Sequence, residues 1–245
     1  MKIKTKIMDK NRLSRFISKY NLAGLVESVS WKAENKSLTT RFISDDKTVL
    51  GSVSVADFDF EDSTIGVYNT NTLKSLLGVL GNDVSISLKK VDEKPISLSL
   101  TSDSTTVQYQ LADLAVIPNV PDLKQLPEFG ISIDMDGNFI EKFIKAKSAL
   151  SDIDNFTVLT EKGKLKIVIG YSNINTNRVE LVVNDNFDGE VKPISFSAKY
   201  FKEILSANKE ANKATLKVSK EGLANVDFSV DGFASSYYLV EVQLS

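Results

Sequence analysis

Four times along this chain a strand-like run leads into a short amphipathic helix and then out into further strands. The clearest case is Thr64 to Leu88. Thr64–Asn69 reads as a strand, and Leu73, Leu76, Leu77 and Leu80 then recur at helical spacing and make one apolar stripe. Asn69, Thr70 or Asn71 can cap that helix by accepting backbone N–H bonds. Gly81 suits the left-handed position that ends a helix. Val84, Ile86 and Leu88 alternate as in a half-buried strand. Lys74 falls off the stripe, toward solvent.

The same pattern predicts three more helices. Asp9 caps Lys10–Tyr20, in which Leu13, Phe16, Ile17 and Tyr20 form the stripe and Arg12, Arg15 and Lys19 lie opposite. Asp136 or Asn138 caps a helix with Phe139, Ile140, Phe143 and Ile144 on one side and Lys142 and Lys145 on the other. A fourth starts at Ala198, with Tyr200, Phe201, Ile204 and Leu205 inward and Lys199, Lys202 and Lys209 outward. Strands are predicted over Lys2–Ile7, Val26–Lys32, Leu38–Ser44, Val49–Val55, Asp57–Asp59, Ile96–Thr101 and Thr105–Leu111, with a hairpin turn at Asp45-Asp46. In the second half they fall at Ile131–Met135, Phe156–Thr160, Lys164–Tyr171, Arg178–Asn184, Ile194–Ser197, Thr215–Lys220, Val226–Val230 and Tyr237–Val242. The halves repeat one another, two strand–helix–strands units in each, which predicts an α+β protein of two similar domains. Three of the five prolines, Pro118, Pro121 and Pro127, interrupt Ala112–Gly130. That segment reads as an extended connector between an N-terminal domain, 1–111, and a C-terminal domain, 131–245.

Composition narrows the chemistry. The 245 residues contain no histidine and no cysteine, which removes the commonest general base, the commonest metal ligand, disulfides and thiolate chemistry. No Gly-x-Ser-x-Gly elbow exists, and Lys162-Gly-Lys164 lacks the spacing of a phosphate-binding loop. Asp134-Met-Asp-Gly-Asn138 carries its glycine in the wrong place for a calcium loop, and its twelfth position is Lys145, so it reads as a helix cap. Asp57, Asp59, Glu61 and Asp62 read as a solvated strand end rather than a cation site. The expectation is no enzyme, no metal and no cofactor. No apolar run has the length of a signal peptide core or a membrane span, so a soluble intracellular protein is expected.

Charge points to a partner. Net charge is −2, which by itself predicts no binding to nucleic acid. The helices, however, carry Lys10, Arg12, Arg15, Lys19, Lys74, Lys142, Lys145, Lys147, Lys199, Lys202 and Lys209 against Asp9, Glu141 and Glu203. Eleven cations against three anions is a balance of +8, which leaves −10 for everything else. One helix of this kind is an ordinary solvated face; four side by side would form a basic stripe that tracks phosphates.

The repeated unit, the basic helices, the proline-rich connector and the acidic remainder together resemble a DNA sliding clamp. Ile65-Gly-Val-Tyr-Asn69 before a leucine-rich helix, followed by Gly81-Asn-Asp-Val-Ser-Ile-Ser-Leu88, is similar to the corresponding segment of the eukaryotic and archaeal clamps of the proliferating cell nuclear antigen type. Tyr237-Tyr-Leu239 resembles their terminal strand, and the length and the acidic Asp57-Phe-Asp-Phe60 resemble the clamps of T-even-type bacteriophages. The resemblance implies the DNA-clamp fold, two helices packed on antiparallel sheets in each domain, closed as a homotrimeric ring around double-stranded DNA. It implies a DNA polymerase held on the duplex without reading sequence, and a separate ATP-dependent clamp loader. For a phage-encoded clamp the compartment would be the cytoplasm of an infected bacterium. It also implies a subunit interface between Thr105–Leu111 (Thr105, Val107, Tyr109, Leu111) and Arg178–Asn184 (Val179, Leu181, Val183). The expected partner pocket is lined by Phe42, Leu50, Ile117, Leu126, Tyr238 and Val240, and the eleven helix cations face DNA. The rival readings are a monomeric processivity factor of the same fold and a structural phage protein with two β-rich repeats.

Overall fold

The computed structural model describes residues 7–123, 125–172, 174 and 176–243, with the side chains of Ile7 and Met8 left aside. The strand expected at Lys2–Lys6 lies outside the described residues. The four expected units are present. The first is β1 (Ile7–Asp9), α1 (Lys10–Asn21), β2 (Val29–Glu34), β3 (Ser37–Ile43) and β4 (Val49–Val55). The second is β5 (Ser63–Val67), α2 (Thr70–Gly78), β6 (Asp83–Val91), β7 (Lys94–Ser102) and β8 (Thr105–Gln110). The third is β9 (Ile131–Asp136), α3 (Gly137–Ala149), β10 (Asn155–Glu161), β11 (Lys164–Ile169) and β12 (Val179–Asn184). The fourth is β13 (Ile194–Ser197), α4 (Ala198–Ala207), β14 (Lys213–Val218), β15 (Leu223–Val230) and β16 (Phe233–Val240).

Each helix starts on a side-chain cap. Asp9 accepts from Asn11 N–H, Asn69 from Thr72 N–H, Asp136 from Phe139 N–H and Ser197 from Tyr200 N–H. A cap of this kind contributes about 1 kcal/mol. The units exchange their first strands in pairs. β1 pairs antiparallel with β6, and β5 with β2; β9 pairs with β14, and β13 with β10. The resulting orders are β1-β6-β7-β8 and β5-β2-β3-β4 in the first half, and β12-β11-β10-β13 and β16-β15-β14-β9 in the second. A strand exchanged this way makes neither unit of a pair complete without the other.

The chain forms two compact units. Unit 1 comprises Met1–Ile43, Gly51–Pro121 and Asp231–Ser235; unit 2 comprises Ser44–Leu50, Asp122–Val230 and Ser236–Ser245. In unit 1, Phe16, Tyr20 and Trp31 meet edge to face with ring centroids 5.6–6.3 Å apart, joining α1 to β2. In unit 2, Phe143 of α3, Phe156 of β10 and Phe201 of α4 converge at 5.0–5.5 Å. These ring pairs add about 0.5–1.5 kcal/mol each beyond their buried area. They press each helix pair's apolar stripe onto its sheets.

Several expectations change. Asp57–Asp59 is not a strand: Asp57 takes a left-handed φ of 53°, and Phe58 turns inward, its N–H donating to Lys36 O at 2.9 Å. α2 ends at Gly78, two residues early. Gly81 is not left-handed; a Cβ there would stand 2.8 Å from Ser102 Oγ, so glycine serves a close approach instead. Gly66 has the same reason to lack a side chain. A Cβ would lie 2.6 Å from Ala112 O, and Ala112 N–H donates to Gly66 O at 2.9 Å, so the connector begins as an isolated bridge on β5.

Candidate nucleic-acid interface

The cations of unit 1's helices are committed to the protein itself. Lys10, half-buried, donates through Nζ to Leu80 O just beyond α2, where a helix end presents unpaired carbonyls and partial negative charge. Arg12 donates through Nη2 to Ala56 O at 2.7 Å and through Nη1 to Asp231 O at 3.5 Å. Arg15 pairs with Asp231 at 3.0 Å. Both guanidinium groups and the Lys19 ammonium stand over the Phe233 ring, 4.6–5.4 Å from its centroid, in the geometry of cation–π contacts. Lys19 is fully buried, contrary to the open face expected of it. Phe233, at the start of β16, gives the flank of α1 that carries Arg12, Arg15 and Lys19 an aromatic neighbour, while Asn11, Ser14 and Ser18 beside it stay at least partly open. Lys74 donates to Asn21 Oδ1 at 3.0 Å.

Unit 2's helices differ. Lys147 is buried too, because it turns back to cap α3, donating to Ser151 O at 2.8 Å and Leu150 O at 3.3 Å; it also departs from its expected place. The rest point outward. Lys142, Lys199 and Lys209 are exposed, and their ammonium groups have no partner among the described residues. Lys145 shares an exposed i,i+4 pair with Glu141 at 3.3 Å, and half-buried Lys202 meets Glu203 at 3.4 Å. The exposed Lys145–Glu141 pair contributes about 0–1 kcal/mol and yields readily to a stronger anion. Lys142 and Lys145, and Lys199 and Lys202, are each one helical turn apart on helices that pack through Phe143 and Phe201.

β8 and β12, the strands expected at the subunit interface, each end their four-stranded sheet. Thr105, Val107 and Leu111, with Val179, Leu181 and Val183, are half-buried. Tyr109 is buried and belongs to unit 1's interior: its hydroxyl accepts from Asn69 N–H at 3.0 Å and donates to Asn69 O at 3.1 Å. Burial pushes its phenol pKa up. The open side of β8 carries Thr106, Gln108 and Gln110 instead.

The expected pocket residues also divide. Phe42 is core, its ring lying where a Cβ on Gly51 would stand only 2.4 Å away, and it is unavailable to a partner. Ile117 is half-buried in unit 1. In unit 2, Leu50 and Tyr238 are half-buried, while Leu126 and Val240 are each 45% exposed. Exposed Leu114 and Val116 in unit 1 and Leu123 in unit 2 extend the apolar character of the connector. Among the described residues no group of three or more acidic side chains is arranged to hold a metal ion, and no helix is long and apolar enough to cross a membrane.

The fold is that of the sliding clamps of the proliferating cell nuclear antigen (PCNA) type. The chain superimposes on PCNA from Entamoeba histolytica with a TM-score of 0.72 at 15% identity, covering 97% of each chain. It matches A. fulgidus PCNA, solved with the C-terminal region of FEN-1 bound, with a TM-score of 0.73 at 20% identity and 98% of each chain. It matches a chain of the PCNA2–PCNA3 complex of Sulfolobus tokodaii with a TM-score of 0.68 at 14% identity, over 96% of this chain and 97% of that one. No protein-family model and no curated protein sequence matches the chain. At these identities the likeness is one of fold.

Proposed function

We propose that this chain is a non-enzymatic sliding clamp: three copies close head to tail around double-stranded DNA and tether a DNA polymerase to it. The observation that carries this reading is the fourfold strand–helix–three-strand repeat, matched in fold to PCNA over almost the whole chain, with outward lysines on its helices. A ring holds by topology, so its contacts to phosphate stay loose; bidentate readout of bases would pin a protein that has to slide. The S. tokodaii complex of two PCNA chains and the FEN-1 segment on A. fulgidus PCNA support, by analogy of fold, self-association and the docking of short partner segments. On this chain the exposed Leu123, Leu126 and Val240 of unit 2 are apolar residues that such segments could take. With no nucleotide-binding motif of its own, ring opening would fall to an ATP-dependent loader.

The deciding experiment is native mass, followed by DNA retention. The expected species is three times the 27.0 kDa chain. Once loaded, it should persist on a closed circle and leave promptly when the circle is cut. A stable monomer would favour the monomeric processivity factor. Equal lifetimes on circular and unblocked linear DNA would reduce the interaction to ordinary electrostatic binding.

A further inference from the structure

We infer that the two helix pairs are unequal toward DNA: the phosphate backbone is held by Lys142 and Lys145 of α3, Lys199 and Lys202 of α4 and Lys209 just past α4, while α1 and α2 offer it a neutral polar face. This rests on the clamp reading and sharpens it. Sequence alone distributes helix cations over both halves. The structure separates them by what they touch.

In unit 1 all five helix cations are engaged: Lys10 with a helix-end carbonyl, Arg12 with two backbone carbonyls, Arg15 with Asp231, Lys19 inside against Phe233, and Lys74 with Asn21. Moving any of them to a phosphate would break a contact already made. What α1 and α2 leave outermost is uncharged, namely Asn11, Asn71, Thr72 and Ser75, with half-buried Ser14 and Ser18 beside them. In unit 2 only Lys147 is consumed internally. Of the remaining lysines, Lys142, Lys145, Lys199 and Lys202 stand on the adjacent α3 and α4 and Lys209 on the 3-10 turn just past α4. Lys142, Lys199 and Lys209 have no ammonium partner among the described residues, Lys145 shares an exposed pair with Glu141, and half-buried Lys202 lies beside Glu203. A flexible ammonium on an exposed helix is a point charge that follows a phosphate without fixing register, which suits a sliding contact.

The test is the salt dependence of binding to a short blunt duplex of unrelated sequence, followed by fluorescence anisotropy between about 50 and 200 mM salt. Each lysine removed from a phosphate contact lowers the slope of log K against log salt by about 0.9. The variant Lys142→Ala/Lys145→Ala/Lys199→Ala/Lys202→Ala should lose about 2 to 4 from that slope and at least about tenfold in low-salt affinity. The corresponding four-arginine variant should keep the slope. Lys10→Met/Lys74→Met in unit 1 should leave it unchanged. All four alanine positions lie outside the core, so circular dichroism and native mass should match wild type. An undiminished slope in the alanine variant, or an equal loss in the unit 1 variant, overturns the inference while wild-type binding preserves the clamp reading. Wild-type protein with no salt-dependent duplex binding overturns the inference, whereas the clamp reading stands or falls on retention by circular DNA.

Discussion

β8 and β12 occupy equivalent places in their units, each the last strand of a four-stranded antiparallel sheet, yet they present different edges. β8 is uncharged on its open side and tied down. Tyr109 grips Asn69 at the start of α2, and two residues past the strand Ala112 bridges to Gly66. β12 has half-buried Val179, Leu181 and Val183 on one side. On its other side are Glu180, clamped by Lys166 at 2.9 Å and Arg178 at 3.0 Å, and Val182, 46% exposed. Two unlike edges on one chain suit a heterologous contact, the edge of one copy against the other edge of the next, rather than an isologous dimer. Such contacts close into rings when the rotation allows. Left unpaired, both would be aggregation liabilities.

The largest expected effect follows from backbone parity. Leu111 N–H donates to Ile96 O at 2.9 Å, and the Ser97–Gln110 register sets Leu111 opposite Ile96. Hydrogen-bonded and non-bonded pairs alternate, so Val107 and Tyr109 turn their backbone groups to β7, while Thr106, Gln108 and Gln110 turn theirs to the open side. Gln108→Pro thus deletes one outward N–H and spares the sheet within the subunit. Self-association should weaken at least about tenfold, which is about 1.4 kcal/mol, with little change in the unfolding temperature of the monomer. Analytical ultracentrifugation across concentration measures it. Proline at Tyr109 would instead cut a bond to β7 and destabilise unit 1. A Gln108→Pro protein that stays trimeric on dilution would show that β8 is not the pairing edge.

How much of this was legible in the sequence depends on the residue. The Asp9 cap follows from local rules that need no tertiary knowledge; Asn69 and Asp136 are the caps taken among the neighbours those rules offer, and the apolar stripes follow too, except that Leu80 falls past the end of α2. The strands expected over Thr105–Leu111 and Arg178–Asn184 are there too, each one residue shorter, as Thr105–Gln110 and Val179–Asn184. Lys19 and Lys147 defeated the same reasoning for one physical reason. A helical wheel assigns a lysine to solvent by angle alone, but Phe233 arrives from the far end of the chain to cover Lys19, and Lys147 folds back onto carbonyls of its own helix end. Phe42 was lost to Gly51, a contact between strands that spacing cannot show. Gly81 was read as a helix terminator because glycine tolerates positive φ, whereas its actual constraint is the approach of Ser102.

A middle-sized effect separates the anchored edge from the loose one. Tyr109→Phe keeps the ring and removes the hydroxyl that both accepts from and donates to Asn69. Leaving those backbone groups without that partner should cost about 1–2 kcal/mol of unit 1 stability and speed amide exchange in the first turn of α2. The pH dependence gives an independent check. Burial raises the pKa values of Tyr20, Tyr109 and Tyr200 above the ordinary phenol value of 10.0. A raised pKa means the folded state holds the proton more tightly than the unfolded chain. The associated stability is therefore complete below pH 10 and is lost as pH climbs past it. Chemical denaturation at stepped alkaline pH should show that fall, shallower in Tyr109→Phe because one contributor is gone. An identical alkaline slope would mean Tyr109 ionises as freely in the folded protein as in the unfolded one.

The smallest effect is expected on β12, and it asks whether charge or backbone pairing joins the two edges. Glu180 is the acidic residue on the exposed side of that strand, and Lys166 and Arg178 beside it belong to the same chain. The Lys166 ammonium is held above its ordinary pKa by Glu161 first and Glu180 second, so Glu161 keeps it paired when Glu180 is lost. The open side of β8, meanwhile, offers Thr106, Gln108 and Gln110, none of which carries a charge that Glu180 could answer. Glu180→Gln should therefore change trimer dissociation by no more than about fivefold, the scale of a surface ion pair. Wild-type self-association should likewise be nearly indifferent to salt, in contrast to binding of a short duplex, which salt should weaken steeply. If Glu180→Gln instead dissolves the trimer, or if salt does, then a cation outside β8 must meet this edge. The unlike edges would then be matched by charge, with ladder hydrogen bonds secondary.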